Sequence, residues 1–404
     1  MIAFISIGKQ FLRLIYFIMK LFPTGNQIVF ISRQSDNLSM DYSKIIRSIE
    51  ANESVSESTV KIKIKVLTKR QEKDTGSFLS SAFSNGLFIL KQMKALATSR
   101  VAIVDGYSIP VSILKHKRKI IVIQIWHAIG AIKKMGLQTV PYMNDRDKSI
   151  AKVLKMHNGY SYAIAPSEKC GDFYKEAFDM DSSQIKVLGT PHLDYLYYGE
   201  NDKRNEIRNS YPQLEGKKVI LYIPTYRSAG NNEGNEHKER ISEQKDEFDV
   251  IERLNESVDF EKYSLIVKPH PIDYKRYQFD SNQNSNIITI TDAFTAEELL
   301  SVGDYVITDY SSVAFDAGLL KVPLYFYVYD IEEYKQRNGL NIDIENEYGK
   351  YAARGAKDII SLIDEEYDFE YMKEFIGKYI SCYDGKCTEE LSAYITSFVA
   401  KNHS

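Results

Sequence analysis

Between Asp304 and Asp316 the chain reads Asp-Tyr-Val-Ile-Thr-Asp-Tyr-Ser-Ser-Val-Ala-Phe-Asp, which sets Thr308, Asp309, Ser311 and Ser312 within five positions. Hydroxyls at this density beside a helix start suit the binding of an anion such as phosphate. The apolar residues Tyr305, Val306 and Ile307 lead in. Val313, Ala314, Phe315, Ala317, Leu319 and Leu320 follow at the spacing of a buried helix face. The stretch therefore predicts strand, polar turn and helix, with Ser311 or Ser312 as a natural N-cap and the first N–H groups turned toward an anion. An ordinary capped helix would give the same pattern, so the weight rests on the other motifs.

Three of these follow apolar runs in the same way. Trp126-His-Ala-Ile-Gly-Ala-Ile-Lys-Lys-Met-Gly136 comes straight after Ile120–Ile125. It offers His127 as a general base at a strand tip, glycines for close backbone approach, and Lys133 or Lys134 for a phosphate. Tyr222-Ile-Pro-Thr-Tyr-Arg227 presents Thr225 and Arg227, whose guanidinium fork suits phosphate oxygens. In Val267-Lys-Pro-His-Pro271 two prolines pin Lys268 and His270 in a rigid turn. Gly189-Thr-Pro-His-Leu-Asp194 adds a turn with Asp194 as a candidate orienting carboxylate.

The elements that must carry these residues alternate between strand and helix. Gln27–Ser32, Val60–Val66, Val101–Val104 and the β-branched run Ile120–Trp126 read as strands, with helical spacing over Phe83–Ser99. A second set follows Pro191: Lys218–Ile223, Ser264–Val267, Asn286–Ile290, Tyr305–Ile307 and Leu324–Val328. Two doubly wound α/β domains in tandem, joined near residues 185–200, account for this order. Ligands of such sheets bind beyond the carboxyl ends of the strands, where all four motifs stand. Ser228–Asp249 is polar and reads as a loop leading into a helix.

A chain of 404 residues is comfortable for two domains, and a net charge of −3 gives no case for nucleic-acid binding. Lys115-His-Lys-Arg-Lys119 and Lys133-Lys134 are local basic clusters. Cys170, Cys382 and Cys387 read as reduced thiols, and the seven histidines form no metal-ligand pattern. Residues 1–22 are apolar but carry Lys9, Arg13 and Lys20 on one helical face. Those charges are awkward for a spanning helix, and no cleavage site follows. The segment predicts a helix lying in a membrane interface, basic side toward anionic headgroups. A domain-packing helix is the other reading.

Taken in order, Trp126-His127, Gly189-x-Pro191-x-x-Asp194, Pro224-Thr-x-Arg227, Lys268-Pro-His-Pro271, Thr308-Asp-Tyr-Ser-Ser312, Phe315-Asp316 and Pro323 resemble the CDP-glycerol glycerophosphotransferase family of wall teichoic acid synthesis. The resemblance runs from Gln27 to Asn341. Ile31-Ser-Arg-Gln-Ser35 and Gln124–Gly136 look most like its primase branch, which adds the first glycerol phosphate to a lipid-linked disaccharide. The polymerase branch more often has a Trp-His-Gly form and an extra N-terminal region, for which this chain is short.

The resemblance implies an α/β, GT-B-like fold: two doubly wound Rossmann-like domains with a cleft between them and an N-terminal membrane-interface helix. Residues 1–22 would be that helix, 23–190 the acceptor domain and 191–404 the CDP-glycerol-binding domain. His127 and His270 correspond to the two catalytic histidines. Thr225, Arg227, Lys268, Ser311 and Ser312 correspond to donor-phosphate contacts. Lys133, Lys134 and Asp309 join them as substrate-binding candidates, with no metal and no cofactor. The implied partners are CDP-glycerol, an undecaprenyl-diphosphate-linked ManNAc-GlcNAc acceptor, and the cytoplasmic face of the cell membrane, held peripherally. Two positions depart from the pattern: His192 stands where the family commonly has Arg, and Arg337-Asn-Gly339 replaces an Arg-Gly pair. The alternatives are a polymerase or ribitol-phosphate transferase of the same family, a GT-B enzyme acting on UDP-sugars, and a non-catalytic membrane scaffold.

Overall fold

The computed structural model describes residues 2–55, 61–70, 78–226, 249–270 and 286–400. It divides into two compact units: Met1–Ile129, Met135–Tyr197 and Ser381–Ser404 form the first, and Gly130–Lys134 with Tyr198–Ile380 the second.

The first unit is built on a six-stranded parallel sheet of β1 (Gln27–Ser32), β2 (Lys63–Thr68), β3 (Val101–Val104), β4 (Ile121–Gln124), β5 (Tyr162–Ala165) and β6 (Ile185–Val187). Its order is β2-β1-β3-β4-β5-β6, so the direction of winding reverses between β1 and β3. The inner strands are short runs of Val, Ile and Ala because helices cover both faces and neither face needs polar residues. β2, at the edge, keeps the alternation of lysine with Ile and Val.

The second unit repeats the plan with β7 (Lys218–Ile223), β8 (Tyr263–Val267), β9 (Ile287–Thr289), β10 (Tyr305–Thr308), β11 (Leu324–Tyr327) and β12 (Ala352–Ala353), all parallel in the order β12-β11-β10-β7-β8-β9. Here winding reverses between β7 and β10. That reversal is where doubly wound sheets open a ligand crevice.

β1, β3 and β7 fall on the expected residues. β4 is shorter than the run Ile120–Trp126 because Trp126 turns out of the strand with φ of 55°. β5, β6 and β12 were not anticipated. At four, three and two residues they carry little periodic signal. Val60 and residues 228–248 lie outside the described residues.

The division departs from a break after residue 190. The helix Pro191–Tyr197 stays with the first unit, and the C-terminal helix Cys387–Ala400 returns to it. The cause is apolar. Leu391, Ile395 and Val399 share one face of that helix and enter the same core as Ile28, Phe30, Ile45 and Ile103.

The helix Ile2–Met19 forms as expected, but its orientation is the reverse of the expectation. Lys9 Nζ donates to the Val153 carbonyl at 2.7 Å and Arg13 Nε to the Ile113 carbonyl at 3.0 Å, so these basic groups face the protein. Tyr16, 1% exposed, donates its hydroxyl proton to His116 Nδ1 at 2.7 Å, while His116 Nε2–H donates to the Val111 carbonyl. The outward face is Phe4, Ile7, Phe11, Leu14 and Ile18, continued by Leu21 and Phe22, with Ile7, Phe11 and Leu14 all above 60% exposed. Part of the basic cluster at Lys115–Lys119 is also spent internally, since Lys117 holds the Phe22 carbonyl and the Thr24 hydroxyl.

Candidate active site

In the first unit the tips of β1, β3 and β4, adjacent at the winding reversal, supply one group of residues. His127 stands three residues beyond β4. Its Nδ1 lies 3.0 Å from the Asp105 carbonyl oxygen, just past β3, and 3.4 Å from the Gln34 side-chain amide, just past β1. The Asp105 carbonyl can only accept and Gln34 Nε2 can only donate, so the two contacts call for opposite tautomers; the shorter one, to Asp105, puts the proton on Nδ1 and leaves the lone pair on Nε2. That is the tautomer a general base needs.

The backbone around His127 is held in an unusual shape. Trp126 occupies the left-handed region, where a bulky residue is strained, and its N–H donates to Gln124 Oε1 at 2.9 Å. Gln124 is fully buried and its Nε2 donates to the Gly106 carbonyl at 3.1 Å. The Trp126 ring lies tilted against His127 with centroids 4.4 Å apart and meets His157 at 6.0 Å and Phe178 at 5.7 Å. Burial, with a smaller contribution from His127, pushes His157 down to about 4, so its ring is neutral near pH 7. The Asp105 carboxyl, buried beside Ser32, is pushed up to about 6.

The second unit gathers the other group at the tips of β7, β10 and β8, again across the winding reversal. Lys133 Nζ donates to Thr225 Oγ1 at 2.6 Å. The Thr225 N–H and the Tyr310 N–H both donate to Asp309 Oδ1, at 2.8 and 2.6 Å, which locks the turn after β7 to the turn after β10. Lys268 is 4% exposed and its ammonium donates to the Thr291 carbonyl. Burial pushes its pKa down to about 8, against the pull of Glu297, Asp292 and Glu298. The His270 ring lies 5.2 Å from that of Tyr226, next to Thr225. Residues 130–134 belong to this unit because the Lys134 N–H donates to the Gly339 carbonyl and the Asn341 amide to the Lys133 carbonyl.

Lys133, Thr225, Asp309, Lys268 and His270 thus share one end of the second sheet. Ser311 and Ser312 follow β10, and of the two expected caps it is Ser311 whose hydroxyl meets a helix N–H. Ser312 has helical φ and ψ and makes no side-chain cap, whereas Ser311 Oγ lies 3.5 Å from the Val313 N–H. Asp309 is first a clamp between turns. Asp194 accepts from the Cys387 and Thr388 N–H groups at 3.1 and 2.7 Å and so caps the last helix rather than orienting a catalytic group. Arg227 and Pro271 lie outside the described residues. Gln34, Asp105, His157 and Tyr226 were missed as site residues. Asp105-Gly106 directly after the strand Val101–Val104 was the legible signal.

Residues 14–397 match the family described as CDP-glycerol:poly(glycerophosphate) glycerophosphotransferase. The chain belongs to this family. A teichoic acid ribitol-phosphate primase of Bacillus spizizenii is 29% identical to this glycerophosphotransferase-family chain over 381 residues, covering 93% of it and 92% of the relative. A teichoic acid glycerol-phosphate primase of Bacillus subtilis is 29% identical over 320 residues, covering 78% of each. Among solved structures, the wall teichoic acid polymerase TagF aligns with a TM-score of 0.68 at 19% identity, over 98% of this chain and 95% of that one. That likeness shows the same two-sheet, GT-B-like fold in this glycerophosphotransferase-family enzyme.

Proposed function

We propose that this enzyme is a teichoic acid primase that moves glycerol phosphate from CDP-glycerol to the ManNAc hydroxyl of a diphospho-undecaprenol-linked ManNAc-GlcNAc, releasing CMP. The observation that carries the chemistry is the Nδ1–H of His127 on the Asp105 carbonyl, which leaves Nε2 as the basic nitrogen. The acceptor hydroxyl gives its proton to Nε2 and its oxygen bonds to the glycerol-bearing phosphorus. The bond from that phosphorus to the bridging oxygen breaks, and CMP departs with the electron pair. Lys268, Lys133 and His270, with the hydroxyls of Thr225, Ser311 and Ser312, offset the charge gathering on CMP. Arg227 is proposed to join them.

The apolar outward face of Ile2–Met19 supports attachment to a membrane surface, which the proposal takes to be the cytoplasmic face. The helix is long and apolar enough to cross a membrane by length and composition. Its docking through Lys9, Arg13 and Tyr16 favours lying along the surface.

The test is acceptor-dependent CMP release followed by mass analysis of the product. One added glycerol phosphate is expected; a ladder of units would make the enzyme a polymerase, and no release with any CDP-polyol would end the proposal. His127→Ala should lower kcat about 10²–10⁴-fold with folding unchanged. A loss below tenfold would remove His127 as the base. A second reading, a ribitol-phosphate primase, draws on the match across 92% of that relative. Competition between CDP-ribitol and CDP-glycerol for turnover separates the two.

A further inference from the structure

The first unit contains a cavity of about 330 Å3 that the proposed chemistry does not use. Leu137, Val140 and Phe178 give it an apolar lining, and Lys148, Lys152 and Lys155 stand on its wall. Lys148 and Lys152 are one turn apart on the helix Asp145–Val153 and so share a face, and Lys155 follows in the left-handed conformation, with φ of 50°. Asp179 is the carboxylate on the wall, so the lysines leave the site cationic. A volume of this size accepts a headgroup and a few carbons.

Its neighbours give the cavity a direction. On one side the helix that carries Lys148 and Lys152 packs against Ile2–Met19, with Lys9 bound to the carbonyl of Val153. On the other side the cavity wall is His157, held through Nδ1 by the Tyr160 hydroxyl at 2.9 Å. The His157 ring meets Trp126, which in turn lies against His127. One wall of the cavity is thus the helix that packs against the exposed apolar helix, and another is the histidine beside the aromatic group behind the base. A ligand suited to it has two or more negative charges, an apolar chain leading toward the membrane helix, and a polar head leading toward His127.

We propose that this cavity binds the diphosphate of the lipid-linked acceptor, with the lysines on the phosphate oxygens and the apolar lining against the first carbons of the chain. The inference rests on the acceptor reading above and names the subsite that reading lacks. Ammonium groups neutralise phosphate as point charges, and a cluster of them distinguishes a diphosphate from a singly charged headgroup.

The experiment compares the full-length chain with Lys152→Gln/Lys155→Gln, a pair of exposed positions whose replacement leaves the core untouched, and with Lys148→Gln. Farnesyl diphosphate, farnesol, inorganic pyrophosphate and phosphatidylglycerol vesicles serve as probes in equilibrium binding. Farnesyl diphosphate is expected to bind saturably and to weaken about tenfold or more in the double variant, with farnesol indifferent to the change. Equal affinity of wild type and both variants for farnesyl diphosphate would overturn the proposal. So would an equal loss of vesicle binding, which would make the lysines a general anionic-membrane patch. Pyrophosphate binding as tight as that of farnesyl diphosphate would also overturn it, by assigning the site to a free phosphate. Because these are binding readouts, lysine-dependent binding of farnesyl diphosphate without CMP release would sink the transfer reading and leave the subsite standing.

Discussion

Lys268 carries the clearest pH signature of the proposed donor group. An ammonium whose pKa is pushed down to about 8 is charged at pH 7 and lost above pH 8. The expected profile of kcat/KM for CDP-glycerol therefore has a basic limb near pH 8, and Lys268→Arg should move that limb to more alkaline pH while Lys268→Ala abolishes it. Asp105 titrates in the opposite sense. Its carboxyl is pushed up to about 6 by burial, so wild type loses stability as pH rises from about 4 through 6 and then levels off. Asp105→Asn keeps the backbone carbonyl that holds His127 and removes that cost. Urea unfolding should find it more stable by about 2–3 kcal/mol at pH 7 and no different at pH 3. The two residues differ in legibility. Lys268 sits between strand and proline and was named from the sequence. Asp105 acts on His127 through a carbonyl, a group that every residue has.

At the scale of elements, the turn after β4 makes a tight steric demand. Gly130 has φ of +70°, and a Cβ there would stand inside the Phe315 ring. Gly130→Ala should destabilise the second unit by about 2–5 kcal/mol, combining left-handed strain with overpacking. It should also raise KM for CDP-glycerol, since Lys133 follows three residues on and reaches Thr225. Denaturation monitored alongside donor KM checks both. The glycine was visible in the sequence as a point of close approach, but its partner was not, because Phe315 lies far along the chain. The reverse holds for Trp126. Nothing in its neighbours announced a left-handed aromatic, and its shape comes from the buried amide of Gln124 capturing its N–H.

At the scale of the whole molecule, the exposed stripe on Ile2–Met19 predicts a surface-bound enzyme. Replacing Phe4, Phe11, Leu14 and Leu21 by Ser should lower vesicle binding at least tenfold, since each buried side chain of this size contributes about 1.5–3 kcal/mol. It should also depress turnover on a lipid-linked acceptor more than on a soluble analogue. Equal losses on both would make the stripe a packing surface. These substitutions leave Lys9, Arg13 and Tyr16 in place and so spare the docking of the helix. By itself the sequence determined the two α/β units, the order of their principal strands and the residues at the strand tips. Local periodicity and turn chemistry write those directly. The tertiary structure decided the rest: the tautomer of His127, the clamp made by Asp309, the inward turn of Lys9 and Arg13, and the return of Cys387–Ala400 to the first core. Each of these depends on a partner remote in sequence, and adjacency along the chain holds no record of which strand tips, carbonyls or helix faces will meet in space.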